Sequence, residues 1–212
     1  MTVAKMMTRN PYTVDWNTPV TDAQALMRRE KFHRLPVLSK HKKLIGIISE
    51  KDLLYAAPSP ATSLNVYEMN ELLNKLKVSE VMTEDVITID ETTLIEDAAR
   101  IMVDNNIGGL PVMRGEVLIG IITESDLFRL FIELFGTRRP GLRLSLLVPE
   151  KRGEIAAITT AISENGANII SVGTFPGEDP TNHTVIMKVE DIERDKISEI
   201  LEPLQVEVLD IR

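Results

Sequence analysis

The chain has no cysteine, which excludes disulfides, thiolate metal sites and a cysteine nucleophile. Aromatic residues make up only 4% of its 212 residues, so its core must be built from Ile, Val, Leu and Met rather than from rings. Its three histidines, His33, His41 and His183, are scattered and offer no metal-binding spacing. A glycine-rich Walker loop and a nucleophile elbow are also missing. No pair of acids stands out as catalytic, so the sequence does not read as an enzyme. No apolar run approaches membrane-span length, and Met1-Thr-Val-Ala-Lys5 is not the start of a signal peptide. A cytoplasmic protein without a membrane partner is expected. The net charge of −8 argues against a nucleic-acid partner, which needs a basic footprint. That charge is uneven: residues 1–140 carry 17 basic and 19 acidic side chains, and residues 141–212 carry 7 and 13.

What is present is a repeat. Gly46-Ile-Ile-Ser-Glu-Lys-Asp52-Leu53 recurs as Gly120-Ile-Ile-Thr-Glu-Ser-Asp126-Leu127. In each copy an apolar β-branched run ends at a hydroxyl residue with an acid three positions later, a capping-box pattern that opens a helix. One reading is purely structural: Ser49/Asp52 and Thr123/Asp126 cap two helices. The other uses the same geometry for binding. A helix N-terminus after a strand presents unpaired N–H groups and a positive dipole end to a phosphate, and an ionised Asp accepts hydrogen bonds from ribose hydroxyls.

The repeat extends outwards from this motif. At an offset of 75, Met7, Thr8, Thr13, Asp15, Ala23, Met27, Leu35, Pro36 and Val37 recur as Met82, Thr83, Thr88, Asp90, Ala98, Met102, Leu110, Pro111 and Val112. A turn one residue shorter then sets the offset to 74. Each unit reads as a short strand (Tyr12–Val14 in the first), a helix, two strands and the capped helix. Thr18-Pro19 reads as N-cap and first helical residue, and Thr93 with Glu96 as the equivalent cap. Pro58-Ser-Pro60 and Thr62-Ser63 break structure, and a short helix over Val66 to Leu76 connects the units. Neither unit would bury its apolar face alone, which implies packing about a pseudo-twofold axis.

Two copies of strand, helix, Leu-Pro-Val strand and Gly-x-x-[Ser/Thr]-x-x-Asp-Leu resemble a tandem pair of CBS domains, a Bateman module. Residues 1–60 would form CBS domain 1, 61–77 a connecting segment and 78–137 CBS domain 2. The resemblance implies an adenosine-containing ligand in the cleft, with Ser49/Asp52 and Thr123/Asp126 as core contacts of two sites. Thr18, Thr93, His33-Arg34 and Ile107-Gly108-Gly109 would flank the adenine or reach the phosphates. AMP, ADP or ATP is the expected regulatory ligand, ahead of S-adenosylmethionine and NAD; the basic His33-Arg34 pair favours phosphates over the sulfonium of S-adenosylmethionine. The second copy has Gly108-Gly109 there, so the two sites should be unequal, and Arg34 could serve its own site or its neighbour's.

Residues 142–212 start a new pattern. A strand (Leu142–Val148), a helix (Glu150–Asn165, stopped by Gly166), strands over 168–175 and 184–189, a helix (Arg194–Leu204) and a strand (Val206–Ile211) give the ferredoxin-like order βαββαβ. With Gly153 after the first strand and Asn168-Ile169 opening the second, this resembles an ACT domain, whose effector site would involve Gly153, Asn168 and Ile169. The usual acidic-x-Pro-Gly loop is replaced by Pro149-Glu-Lys-Arg-Gly153, so amino-acid binding and a purely dimerising role both stay open. The fold class expected is therefore α/β (α+β): two CBS domains about a pseudo-twofold axis plus a C-terminal ferredoxin-like domain.

That order resembles the acetoin-utilisation, AcuB-like proteins. It implies a non-catalytic regulatory sensor that binds an adenine nucleotide, forms a homodimer and relays to an unidentified regulated protein. A ligand-free structural dimerisation module, or an amino-acid sensor working through the C-terminal domain, are the alternatives.

Overall fold

The repeat folds as two copies that exchange their N-terminal segments. The computed structural model describes residues 1–56, 73–204 and 206–212. They divide into two compact units, Met1–Leu127 and Phe128–Arg212.

In the first unit, β1 (Thr8–Arg9), β2 (Val14–Asp15), helix α1 (Val20–Glu30), β3 (Arg34–Leu38), β4 (Leu44–Ser49) and α2 (Glu50–Ala56) make the first copy. The second contains β5 (Ile89–Asp90), α3 (Ile95–Asp104), β6 (Gly109–Arg114), β7 (Val117–Thr123) and the start of α4 (Glu124–Leu134). Of the helix expected over Val66 to Leu76, residues 66–72 lie outside the described residues, as do Pro58 to Pro60 and Thr62-Ser63; residues 73–75 are helical. Each copy buries one face of its first helix at equivalent positions: Val20, Ala23 and Met27 in α1, Ile95, Ala98 and Met102 in α3. These pack against Leu-Pro-Val strands whose own residues, Leu35 and Leu110 among them, are fully buried.

Short strands β2 and β5 pair parallel with β3 and β6, which pair antiparallel with β4 and β7. The outer edge of each sheet is closed by the other copy. β1 of the first copy pairs with β7 of the second, Thr8 opposite Ile121, and Thr83 of the second copy forms the equivalent bridge to Ile47. Gly120 and Gly46 permit the approach, because a side chain at either would collide with Met7 and Met82 respectively.

The exchange also changes how the helices start. The expected hydroxyl caps Thr18 and Thr93 do not cap: the N-cap residues are Pro19 and Leu94, and neither makes a side-chain cap bond. Instead the first helical N–H of α1 donates to the Leu76 carbonyl (2.9 Å) and that of α3 to the Met1 carbonyl (3.1 Å). A backbone carbonyl from the opposite copy does what the hydroxyl was expected to do, so each helix begins one residue later than the sequence suggests.

The second unit holds the order β8 (Leu142–Pro149), α5 (Glu154–Glu164), β9 (Asn168–Pro176), β10 (Asn182–Glu190), α6 (Arg194–Leu201) and β11 (Glu207–Ile211). Its antiparallel sheet has the strand order β11-β8-β10-β9, the ferredoxin-like arrangement. Alternate residues Leu144, Leu146 and Val148 of β8 and Val185, Met187 and Val189 of β10 face one core with Ile158, Ile162, Ile197 and Leu201 of the two helices. Helix α5 starts later than expected because Gly153 sits in the left-handed region (φ +94) and turns the chain first. Gly166 (φ +86) ends it, as expected.

Candidate functional site

Strand register brings the candidate residues together. Arg34 lies directly opposite Ser49 in the β3–β4 pair, and Gly109 opposite Thr123 in β6–β7. The capping boxes are present. Asp52 Oδ2 accepts from both the Ser49 amide (2.7 Å) and hydroxyl (2.6 Å), and Asp126 Oδ2 does the same for Thr123 (2.9 and 2.8 Å). The Asp52 amide in turn donates to Ser49 Oγ (3.3 Å).

These bonds correct the expectation of a row of open helix N–H groups. The Glu50 amide also donates to the His33 carbonyl (3.0 Å), and the Glu124 amide to the Gly108 carbonyl (3.2 Å). The Glu50 and Asp52 amides of α2 and the Glu124 amide of α4 thus already have acceptors.

A cleft of about 500 Å³ opens beside the first capping box. That size is within the range of small-molecule sites, roughly 300–1,000 Å³. Ser49 and Asp52 line it together with His33, Arg34 and Lys51, and with Ile107, Gly108 and Gly109 of the other copy. The strand exchange adds a wall no local motif announces: the Thr83–Ile47 bridge delivers Asp85, Val86 and Ile87 to the same cleft. Ile87 is the repeat counterpart of Tyr12, and the offset alone places neither beside a cleft. Thr18 and Thr93 are not among the lining residues; their carbonyls instead accept from Val78 and Val3 and tie the copies together.

Arg34, whose direction the sequence leaves open, reaches across. Side chains added at Gly108 or Gly109 would meet its guanidinium, and one at Gly108 would also meet Glu124 Oε2. It fills the space that two missing side chains leave and lines the Ser49–Asp52 cleft at the same time. Burial lowers its pKa from the ordinary value while the Glu124 charge opposes that, and a guanidinium stays charged under either influence. His33 remains exposed, with Nδ1 2.9 Å from Glu50 Oε2. The cleft therefore combines an apolar wall, a fixed cation and carboxylates. It suits a ligand with a flat apolar part and polar or anionic substituents.

In the second unit Gly153 lines a separate cavity of about 880 Å³ with Phe175 and His183. Asn168 and Ile169 lie elsewhere. β8 and β9 both run antiparallel to β10, so Gly153 follows the strand ends whereas Asn168 and Ile169 begin β9 at the other end of the sheet. Asn168 donates to Glu190 (2.7 Å), and Ile169 packs against the core. One chain does not bring these three expected effector residues together, because they sit at opposite ends of 9-residue strands.

The family model for the CBS domain matches residues 3–59 and 78–133. The chain belongs to the CBS-domain family. Among solved structures similar to its CBS pair is a candidate acetoin utilization protein (AcuB) of Vibrio cholerae, 33% identical with a TM-score of 0.54, covering 66% of this chain and 98% of that one. The CBS domain pair of protein MJ0100 in complex with 5′-methylthioadenosine and S-adenosyl-L-methionine is 28% identical (TM-score 0.53; 66% and 98% coverage). CBSX2 in complex with AMP is 30% identical (TM-score 0.51; 65% and 98%). The latter two structures thus hold adenosine ligands, consistent with a regulatory sensor. Among the described residues, no helix is long and apolar enough to cross a membrane.

Proposed function

We propose that this protein is a non-catalytic sensor that binds an adenine nucleotide in the Ser49–Asp52 cleft of its CBS pair. The observation that carries the reading is the register placing Arg34 beside Ser49 at a cleft walled by Val86, Ile87 and Ile107. In this reading the base lies against the aliphatic wall. The ribose hydroxyls donate to the Asp52 carboxylate, which has a second oxygen beyond the one used by the cap. The phosphate meets Arg34 and His33, charge-assisted contacts that favour AMP, ADP or ATP over the sulfonium ligand S-adenosylmethionine. Similarity to the AMP complex of CBSX2 supports this choice. Similarity to MJ0100 keeps S-adenosylmethionine in the panel to be tested.

We read the C-terminal unit as an ACT domain, on its βαββαβ order and Gly153 turn. The whole is read as a cytoplasmic homodimer that reports nucleotide binding to a regulated partner. Likeness to the Vibrio cholerae protein points to acetoin or acetate metabolism as the setting. Such a switch requires the nucleotide to bind two states of the protein with different affinity. A second reading, amino-acid sensing, draws support from the cavity lined by Gly153, Phe175 and His183.

A thermal-shift panel of AMP, ADP, ATP, NAD, S-adenosylmethionine and common amino acids tests these readings. A ligand at about a hundred times its Kd adds roughly 2.7 kcal/mol, or about 5–10 °C for a unit of this size. A shift by adenine nucleotides that disappears in Asp52→Ala supports the nucleotide sensor, and a shift by an amino acid supports the second reading. A flat panel on a folded dimer leaves a structural dimerisation module and returns Asp52 and Asp126 to helix caps.

A further inference from the structure

The Ser49–Asp52 cleft offers an anion one strong point of attachment. Its permanently charged cations are Arg34 and Lys51. Lys51 is held over the Tyr55 ring, its Nζ 5.8 Å from the centroid, which leaves Arg34. That residue is half-buried, and among the described residues its guanidinium makes no hydrogen bond and no salt bridge. Burying a cation without a partner is costly, and its unspent N–H donors suit an anion.

Carboxylates outnumber cations around that point. Glu50, Asp52 and Asp85 line the cleft, and Glu124 adds a fourth from the second copy. A side chain at Gly108 would meet Arg34 Nη2 at 2.5 Å and Glu124 Oε2 at 2.6 Å, so the two groups border one small space. The Glu124 charge acts on the guanidinium, opposing the effect of burial.

The repeat explains why Glu124 stands there. At the offset of 74 it is the counterpart of Glu50. Glu50 has a basic neighbour in its own copy, His33, 2.9 Å away. The second copy has Gly108 where the first has His33, and Arg34 of the first copy enters the space so left. His33 and Arg34 therefore each have a carboxylate close by already. One phosphate can take up the donors of Arg34. A second or third phosphate adds negative charge among these carboxylates with no further permanent cation to receive it.

We propose that Glu124 limits the charge of the ligand, so that the cleft takes a nucleoside monophosphate in preference to a di- or triphosphate. This rests on the nucleotide reading above and narrows it. Glu124 determines specificity through its charge, and Arg34 makes the contact.

Isothermal titration of the full chain with AMP, ADP and ATP, in EDTA so that no divalent cation masks the phosphates, tests it. ATP should bind the wild type at least about fivefold more weakly than AMP, the effect of one like-charge contact in bulk-water screening. Glu124→Gln should remove most of that gap, whereas Asp52→Ala should weaken all three ligands alike. A measurement on the wild type alone gives the same sign. Raising the salt from about 0.01 M to about 1 M shortens the screening length from about 30 Å to about 3 Å, which should bring the ATP and AMP affinities together. ATP binding the wild type as tightly as AMP, a gap that persists in folded Glu124→Gln, or a gap that widens with salt would each overturn the charge limit and leave nucleotide binding intact. No heat from any of the three with the wild type would overturn the nucleotide reading and the charge limit with it.

Discussion

Replacing Gly120 by alanine should expose the exchange between the two copies. A Cβ built there falls within contact distance of the Met7 sulfur, 3.0 Å from Met7 Cγ and 3.1 Å from the Thr8 carbonyl oxygen. Met7 is only 7% exposed and the Thr8 backbone is held by its pairing with Ile121, so neither moves freely. Overpacking of this kind costs about 1–3 kcal/mol. Met7→Ala alone should cost about 2–5 kcal/mol as a truncated buried side chain. In the double variant the new methyl enters space the methionine has vacated, so most of the Gly120→Ala cost should vanish. The coupling energy should be about 1–3 kcal/mol, against the ~0.5 kcal/mol limit for independent sites. Gly46→Ala is a graded control: its nearest neighbours are all atoms of the Met82 side chain, with no backbone among them, so it should cost less. Urea unfolding, read as a midpoint shift at constant slope, measures all of these. Additive single-mutant costs would refute the exchange, because they would mean that Met7 does not sit against Gly120.

Other perturbations have equally definite outcomes. Asp52→Ala removes both bonds to Ser49 and should cost about 0.5–2 kcal/mol as a lost cap, seen as a lower urea midpoint; nucleotide affinity should fall with it. Gly141→Ala places a Cβ at φ +127 against the Val189 carbonyl and should destabilise the C-terminal unit by about 1–3 kcal/mol, read by hydrogen exchange in β10. Hydrogen bonding from Arg114 holds the Glu91 carboxyl below its ordinary pKa, and Thr92 does the same for Asp90. Their contribution is therefore fully present above the unfolded carboxylate pKa and is lost as pH falls through the lower folded values. Glu91→Gln should accordingly flatten the acid limb of a stability–pH curve and leave its alkaline side unchanged.

The parts of the fold legible in the sequence are those set by local chemistry or by the repeat. The hydroxyl and acid of Ser49/Asp52 sit three residues apart on one helical turn, and their mutual bonds follow from that spacing. The βαββαβ order of the C-terminal unit was legible from alternation and from Gly166. Thr18 and Thr93 misled because a local rule assigns the helix start to the nearest hydroxyl, whereas carbonyls of Leu76 and Met1, distant in sequence, take that role. The strand exchange was hidden for a similar reason. β1 is two residues long, too short to show a period, and its partner lies more than a hundred positions away. Ile87 acquires its place beside the Ser49–Asp52 cleft only through that exchange. The direction of Arg34 depends on a void, the absent side chains of Gly108 and Gly109, which becomes visible only when the copies are placed together.

A co-crystal structure with AMP tests the nucleotide site most directly. The base should lie against Ile87 and Ile107, the ribose should bond to Asp52, and the phosphate should meet Arg34 and His33. AMP bound beside Thr123 and Asp126, or against the C-terminal unit, with the Ser49–Asp52 cleft unliganded, would contradict it.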